Sequence, residues 1–73
     1  MEEMPEAQVS MNVRKASEKV SIIDVQGELT AFAETVLMDA YNQASDGQVR
    51  AIILNFEHLE YMNSSGIGLL LRC

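Results

Sequence analysis

Two apolar strands separated by one helix-length segment constrain the fold of this chain more than any other feature. Residues 20–25 carry apolar side chains on both faces, and residues 49–54 form a second run with little polar interruption. The apolar residues between them recur at helical spacing, at Phe32, Ala33, Val36, Leu37, Ala40, Tyr41 and Ala44. A strand, a helix and a strand in this order predict a right-handed crossover between parallel strands.

The boundaries of these elements are predicted from turn and capping residues. Gly27 is expected to break the preceding strand, and Thr30 is a suitable N-cap for the helix. Asp46-Gly47 is expected to close that helix, because glycine accepts a left-handed cap without strain. We expect the strand at 51–54 to be covered on both faces, as parallel strands usually are.

The flanking segments complete the predicted order of elements. Val9, Met11 and Val13 alternate with polar residues, which predicts a half-buried edge strand joined by the polar turn 15–19 into an antiparallel hairpin. Residues 55–62 are expected to form a loop, and a helix is expected to begin at 63–66. The loop would be anchored by Phe56, Leu59, Tyr61 and Met62. The helix would face the core with Ile67, Leu70 and Leu71. The predicted class is α/β, with helices packed on a mixed sheet.

Charge and composition exclude several functions. The net charge of −6 disfavours nucleic acid and anionic membrane surfaces, and no apolar run is long enough to span a bilayer. Residues 1–8 are expected to be a disordered acidic tail without the apolar region of a signal peptide, which favours a cytoplasmic location. One histidine and one cysteine do not supply the usual metal ligands, so we expect neither a metal nor another cofactor.

The informative polar motif is Asn63-Ser64-Ser65-Gly66, at the start of the last predicted helix. Asparagine and serine accept hydrogen bonds from the free amides of a first turn, and the helix N-terminus carries a partial positive charge. The motif has two interpretations, a helix cap alone or an exposed hydroxyl site where an anion is tolerated. His58, Glu57 and Glu60 show no catalytic spacing, so no enzyme is expected.

The strings Ile52-Ile53-Leu54-Asn55-Phe56 and Met62-Asn63-Ser64-Ser65-Gly66-Ile67-Gly68 resemble the hallmark of STAS domains. Gly27-Glu28-Leu29 before the first helix resembles the first half of the same family. The resemblance implies a STAS-like mixed β-sheet with the β-β-α-β-α portion present. Residues 9–73 would then be a STAS domain that is incomplete at its C-terminus.

The family includes bacterial anti-sigma factor antagonists, and the resemblance implies the same role here. In that role the protein binds an anti-sigma factor serine kinase when unphosphorylated and is released once Ser64 is phosphorylated. Asn63, Ser64, Ser65 and Gly66 would form the partner-binding site, with Asn63 where the family often has aspartate.

Two alternatives to this role stay open. One is a STAS scaffold of a signalling assembly or transport system, in which the serine is not phosphorylated. Another is a small-ligand module that holds a nucleotide or other anion at the Ser64 turn. In addition, the strand at 51–54 is expected to keep one open edge, which would favour a homodimer.

Overall fold

The computed structural model describes residues 8–72, which form three strands, two α-helices and one 3-10 turn. In chain order these elements are β1 Val9–Ser17, β2 Val20–Leu29, the 3-10 turn Ala31–Ala33, α1 Glu34–Ala44, β3 Ala51–Met62 and α2 Ser64–Leu71. The acidic tail was expected at residues 1–8, and all of it except Gln8 lies outside the described residues. Gln8 is exposed, but its backbone carbonyl accepts a hydrogen bond from the Glu28 amide at 2.8 Å.

The described strands form one mixed sheet with β2 in the centre. β1 and β2 form the predicted antiparallel hairpin, in which Val9 lies opposite Gly27. β2 and β3 are parallel, with Val20 beside Ala51 and Leu29 beside Met62. The predicted order of elements, the edge position of β1 and the parallel crossover are therefore confirmed.

The predicted loop at 55–62 is wrong, because β3 continues to Met62. Asp24 lies beside Asn55 and Gln26 beside His58, so β3 has one more residue than β2 between these pairs. A second extra residue follows, and two bulges therefore interrupt the alternation of β3. The side chains that pack on the core are Ile52, Leu54, Phe56, Leu59 and Met62. Tyr61, expected to be an anchor, is 52% exposed.

The core lies between the sheet and one face of α1 and α2. One cluster contains Ile23, Val25, Ala40 and Ala44, and the other contains Leu29, Ala33, Leu37 and Leu69. The buried Ser21 hydroxyl donates to the Ala44 carbonyl at 2.8 Å, which satisfies a polar group under the end of α1. Phe32 and Tyr41 were expected in the buried stripe, but they are 61% and 41% exposed.

The buried face of α2 also differs from the prediction. Gly66 and Leu69 are buried and Leu70 is half-buried, whereas Ile67 and Leu71 are exposed. Residues 67 and 69–71 are all apolar, so their pattern does not define which side of the helix faces inward.

Three element boundaries need correction. Gly27 does not end β2 but lies inside it with a φ of 96°, and the strand continues to Leu29. Thr30 does act as an N-cap, but of the 3-10 turn that precedes α1. Helix α1 ends at Ala44, and Gly47 does not adopt the expected left-handed conformation.

The second face of the sheet is not covered by the described helices, contrary to the expectation for β3. Arg14, Asp24 and Asn55 form a polar ladder across all three strands, and Ile53 is 50% exposed. The predicted open edge of β3 is confirmed for the described residues, because β3 pairs only with β2. Beside this strand, an apolar groove of about 180 Å³ separates β3 from α1.

Candidate functional site

The first turn of α2 places the polar motif at the carboxyl end of the parallel strands. Asn63 has an extended backbone, and its side-chain oxygen accepts a hydrogen bond from the Gly66 amide at 2.9 Å. Its backbone amide donates to the Leu29 carbonyl at 3.3 Å, which ties the start of α2 to the end of β2. Asn63 therefore caps the helix and also fixes its position on the sheet.

Gly66 brings this turn directly against the end of β2. A Cβ atom at Gly66 would overlap the Leu29 carbonyl oxygen and lie 3.3 Å from the Thr30 amide nitrogen. The buried side of the turn is therefore backbone packed on backbone. Gly66 thus lies beneath the site, where it determines how closely α2 approaches the sheet.

Ser64 and Ser65 occupy the first two positions of α2, and both are exposed. Successive helix residues are rotated by about 100°, so Ser64 lies about 200° from the buried Gly66 and faces away from the sheet. Ser65 lies only about 100° from Gly66 and points more to the side. Of the two hydroxyls, that of Ser64 extends farther from the core.

The 3-10 turn borders this site and was not predicted to belong to it. The Thr30 hydroxyl accepts a hydrogen bond from the Phe32 amide at 3.2 Å, and the Thr30 carbonyl accepts one from Ala33 at 3.0 Å. Ala33 is fully buried, whereas the neighbouring Phe32 side chain is 61% exposed. Which residues of this segment point outward depends on its 3-10 geometry. An α-helical spacing of apolar residues in the sequence does not reveal that geometry.

The charged side chains in the segments that border the site are acidic, whereas Arg72 at the C-cap of α2 lines a groove beside Glu34. Residues 26–34 and 55–67 contain four glutamates and neither lysine nor arginine. Lys15 is paired with Asp46 at 2.7 Å, and Lys19 lies beside Arg50 at the opposite end of the sheet. The end of the molecule that carries the hydroxyls is therefore negative.

The strongest electrostatic coupling in the described residues lies outside this site. The guanidinium of Arg14 donates to Asp24 at 2.7 Å and 3.1 Å, and the Asn55 amide donates to the same carboxylate at 2.8 Å. These hydrogen bonds, Arg14 first and Asn55 second, hold the pKa of Asp24 well below its ordinary value. All three residues belong to the sheet ladder, so this shift stabilises the fold and does not mark a reactive group.

His58 and the potential metal ligands of residues 8–72 do not form a second site. His58 is exposed and lies 3.9 Å from the equally exposed Glu57 carboxylate. No group of three or more His, Cys, Asp or Glu side chains in this range is placed to hold a metal ion. Neither helix of the described part is long and apolar enough to cross a membrane.

Comparison with known proteins agrees with this fold. The family model described as STAS domain matches residues 10–73, and the chain belongs to this family. The fold is similar to the solved structure of the anti-sigma factor antagonist SpoIIAA in its unphosphorylated form, with a TM-score of 0.66 and 33% sequence identity. That match covers 86% of this chain and 56% of the SpoIIAA chain, so this chain spans just over half of that length. Among curated proteins, none matches significantly.

The structure brings all four of the proposed site residues together in one turn. Asn63 and Gly66 support the turn from below, while Ser64 and Ser65 form its exposed surface. The residues that sequence reasoning missed are Leu29, which the turn packs on, and the exposed Phe32, which belongs to the 3-10 turn in contact with α2.

Proposed function

We propose that this protein is an anti-sigma factor antagonist that regulates transcription by partner switching. It binds an anti-sigma factor serine kinase when Ser64 is unphosphorylated, and phosphorylation of that hydroxyl releases it. The observation that carries the proposal is the exposed Ser64 at the first position of α2, on a turn held rigidly by Asn63 and Gly66. Membership of the STAS family and the similarity to SpoIIAA support the same role.

Phosphorylation at this position changes the surface while leaving the fold intact. The phosphate adds about −1.5 to −2 charges. At a helix N-terminus that charge interacts favourably with the helix dipole. A partner that packs against Ser64 would instead have to accommodate the bulk of the phosphate and displace its bound water. A loss of about 1.4 kcal/mol in binding free energy already lowers affinity tenfold. We therefore propose a binding module, with the kinase activity in its partner.

The proposal is tested by incubating the full chain with ATP and each purified anti-sigma factor kinase of the source genome. Mass spectrometry should detect one phosphate on the wild type and on Ser65→Ala, and none on Ser64→Ala. Ser65→Ala is the matched control, because Ser65 is the neighbouring exposed serine of the same turn. Absence of phosphate on both serines with every kinase would contradict the switch.

A second candidate function is a STAS scaffold that binds its partner without phosphorylation. The neutral Asn63 favours this alternative, because an aspartate at the cap would add a charge that a kinase could recognise. Ser64→Asp separates the two functions. The switch requires that this variant loses affinity for the partner, whereas a scaffold that does not read Ser64 would keep it.

The open edge of β3 supports a further proposal, that a strand from a second copy pairs there. Unpaired strand edges present free backbone groups to other strands. The adjacent groove is lined by Ile23, Leu37, Tyr41, Ile52 and Leu54 and would receive apolar side chains from that copy. Light scattering that gives the mass of a monomer at high protein concentration would contradict the homodimer.

A further inference from the structure

We infer that the partner surface extends beyond the Ser64 turn to the 3-10 turn, where Phe32 inserts into an apolar pocket rimmed by basic residues of the partner. This inference rests on the proposed function and specifies the chemistry of the protein that binds there. The proposed interface then has three parts: the Ser64 hydroxyl, whose phosphorylation controls binding, the apolar Phe32 side chain, and the acidic residues around it.

Phe32 has the features of an anchor residue. Its side chain is 61% exposed, although its backbone is fixed by the Thr30 cap on one side and by the buried Ala33 on the other. An aromatic side chain has only two rotatable bonds, so on a fixed backbone it loses little conformational entropy when a partner buries it. Exposing it without a partner has no benefit for folding, because burial of such a ring is favourable.

The two turns are neighbours in the structure. Gly66 packs on the Leu29 carbonyl and the Thr30 amide, and α2 contacts the 3-10 turn. Phe32 is two residues from Thr30, and Ser64 is two residues from Gly66. A partner surface of ordinary size, about 800 Å² on each side, that covers the first turn of α2 therefore extends over the neighbouring 3-10 turn as well.

The charges on both sides of Phe32 define the rim. Glu28 and Glu34 flank the 3-10 turn, both are exposed, and neither forms an ion pair within residues 8–72. An acidic rim of this kind favours lysine and arginine on the partner, and it accelerates encounter at low salt. The two glutamates lie at the edge of the proposed interface, where they attract a basic partner and speed association. A phosphate on Ser64 would instead lie inside the interface, where its bulk opposes binding.

The closing experiment measures binding kinetics of the unphosphorylated full chain to each purified anti-sigma factor kinase of the source genome. Phe32→Ala should weaken binding about tenfold or more, as expected for an aromatic anchor. The matched control is Met38→Ala, which truncates a 45% exposed apolar side chain in α1, the helix that follows the 3-10 turn. Phe32→Ala should keep the thermal stability of the wild type, because most of its side chain is exposed.

The rim is tested with charge-neutral variants. Glu28→Gln combined with Glu34→Gln should lower the association rate and reduce its dependence on salt concentration. Glu18→Gln is the control, because this exposed glutamate lies in the β1–β2 turn at the opposite end of the sheet. An unchanged association rate in the double variant would overturn the basic rim.

The outcomes separate the inference from the function on which it rests. If the wild type binds a kinase and Phe32→Ala binds equally tightly, the inference is wrong and the proposed function stands. If Phe32→Ala instead converts a dimer into a monomer in light scattering, the ring is covered by a second copy and the inference is wrong. If the wild type binds no kinase, both the function and the inference fail.

Discussion

Gly66 lies directly against the carbonyl group of Leu29, so that helix α2 begins in backbone contact with the end of strand β2. A Cβ atom at Gly66 would overlap the Leu29 oxygen and come within 2.7 Å of its carbonyl carbon. The same Leu29 oxygen accepts the Asn63 amide hydrogen bond. The position of the exposed serines therefore depends on a contact that only glycine permits.

The first prediction is that Gly66→Ala destabilises the protein. The added methyl group must move α2 away from β2, and overpacking of this kind costs about 1–3 kcal/mol. Urea denaturation measures the loss. Gly68→Ala is the control, since the nearest heavy atom to its Cβ would be Arg72 Nη1 at 3.9 Å. There alanine should increase stability by about 0.5–1 kcal/mol through helix propensity, and equal losses in both variants would contradict the packing argument.

The second prediction concerns the Asn63 cap. Asn63→Ala removes the acceptor of the Gly66 amide and should lower the free energy of unfolding by about 1 kcal/mol. Asn63→Asp keeps the acceptor and adds a negative charge near the helix N-terminus, so its stability should equal or exceed that of the wild type. Hydrogen exchange at the Gly66 amide checks the cap directly. Equal exchange rates in wild type and Asn63→Ala would mean that the side chain does not hold this amide.

The order of elements could be predicted because most elements show a local repeat of apolar residues in the sequence. The alternation at Val9, Met11 and Val13 and the apolar run near Val20 both correspond to observed strands. The second half of β3 could not be predicted in this way. Its inward residues are separated by two, two, three and three positions, because two bulges shift the pleat. A broken period of two resembles a loop in sequence.

The candidate site was predictable in its polar residues but not in its surroundings. Ser64 and Asn63 carry a capping signal that is local in sequence, and the structure places them in one turn. The contact between Gly66 and Leu29 joins residues far apart in the chain, so it depends on tertiary packing. Phe32 follows the helical spacing of buried residues, yet the 3-10 turn rotates it outward.

The third prediction is that Gly27→Ala destabilises the β1–β2 hairpin. Gly27 has a φ of 96°, and a Cβ atom there would overlap the carbonyl oxygen of Gln8. A non-glycine residue in this conformation costs about 1–3 kcal/mol, and the overlap adds to that cost. Urea denaturation should detect the loss. Gly47→Ala serves as the control, because a Cβ at Gly47 meets no atom within 4 Å.

The fourth prediction is a dependence of stability on pH that comes from Asp24. Hydrogen bonds from Arg14 and Asn55 lower the pKa of this carboxyl in the folded protein relative to its ordinary value of 3.8. The unfolded chain therefore binds the proton more readily. The stabilising contribution is fully present above the unfolded pKa and is lost as pH falls below it toward the folded pKa.

Urea denaturation of wild type and Asp24→Asn between neutral pH and about pH 3 measures this contribution. The wild type should be more stable than Asp24→Asn at neutral pH, and the difference should shrink below about pH 4 as the carboxylate becomes protonated. Asp46→Asn is the control. Lys15 also lowers the pKa of the Asp46 carboxyl, but this side chain is 56% exposed, so solvent screens the pair more strongly and its effect on stability should be smaller. If the difference between wild type and Asp24→Asn stays constant over this range, the ladder of Arg14, Asp24 and Asn55 does not stabilise the folded sheet through its charge.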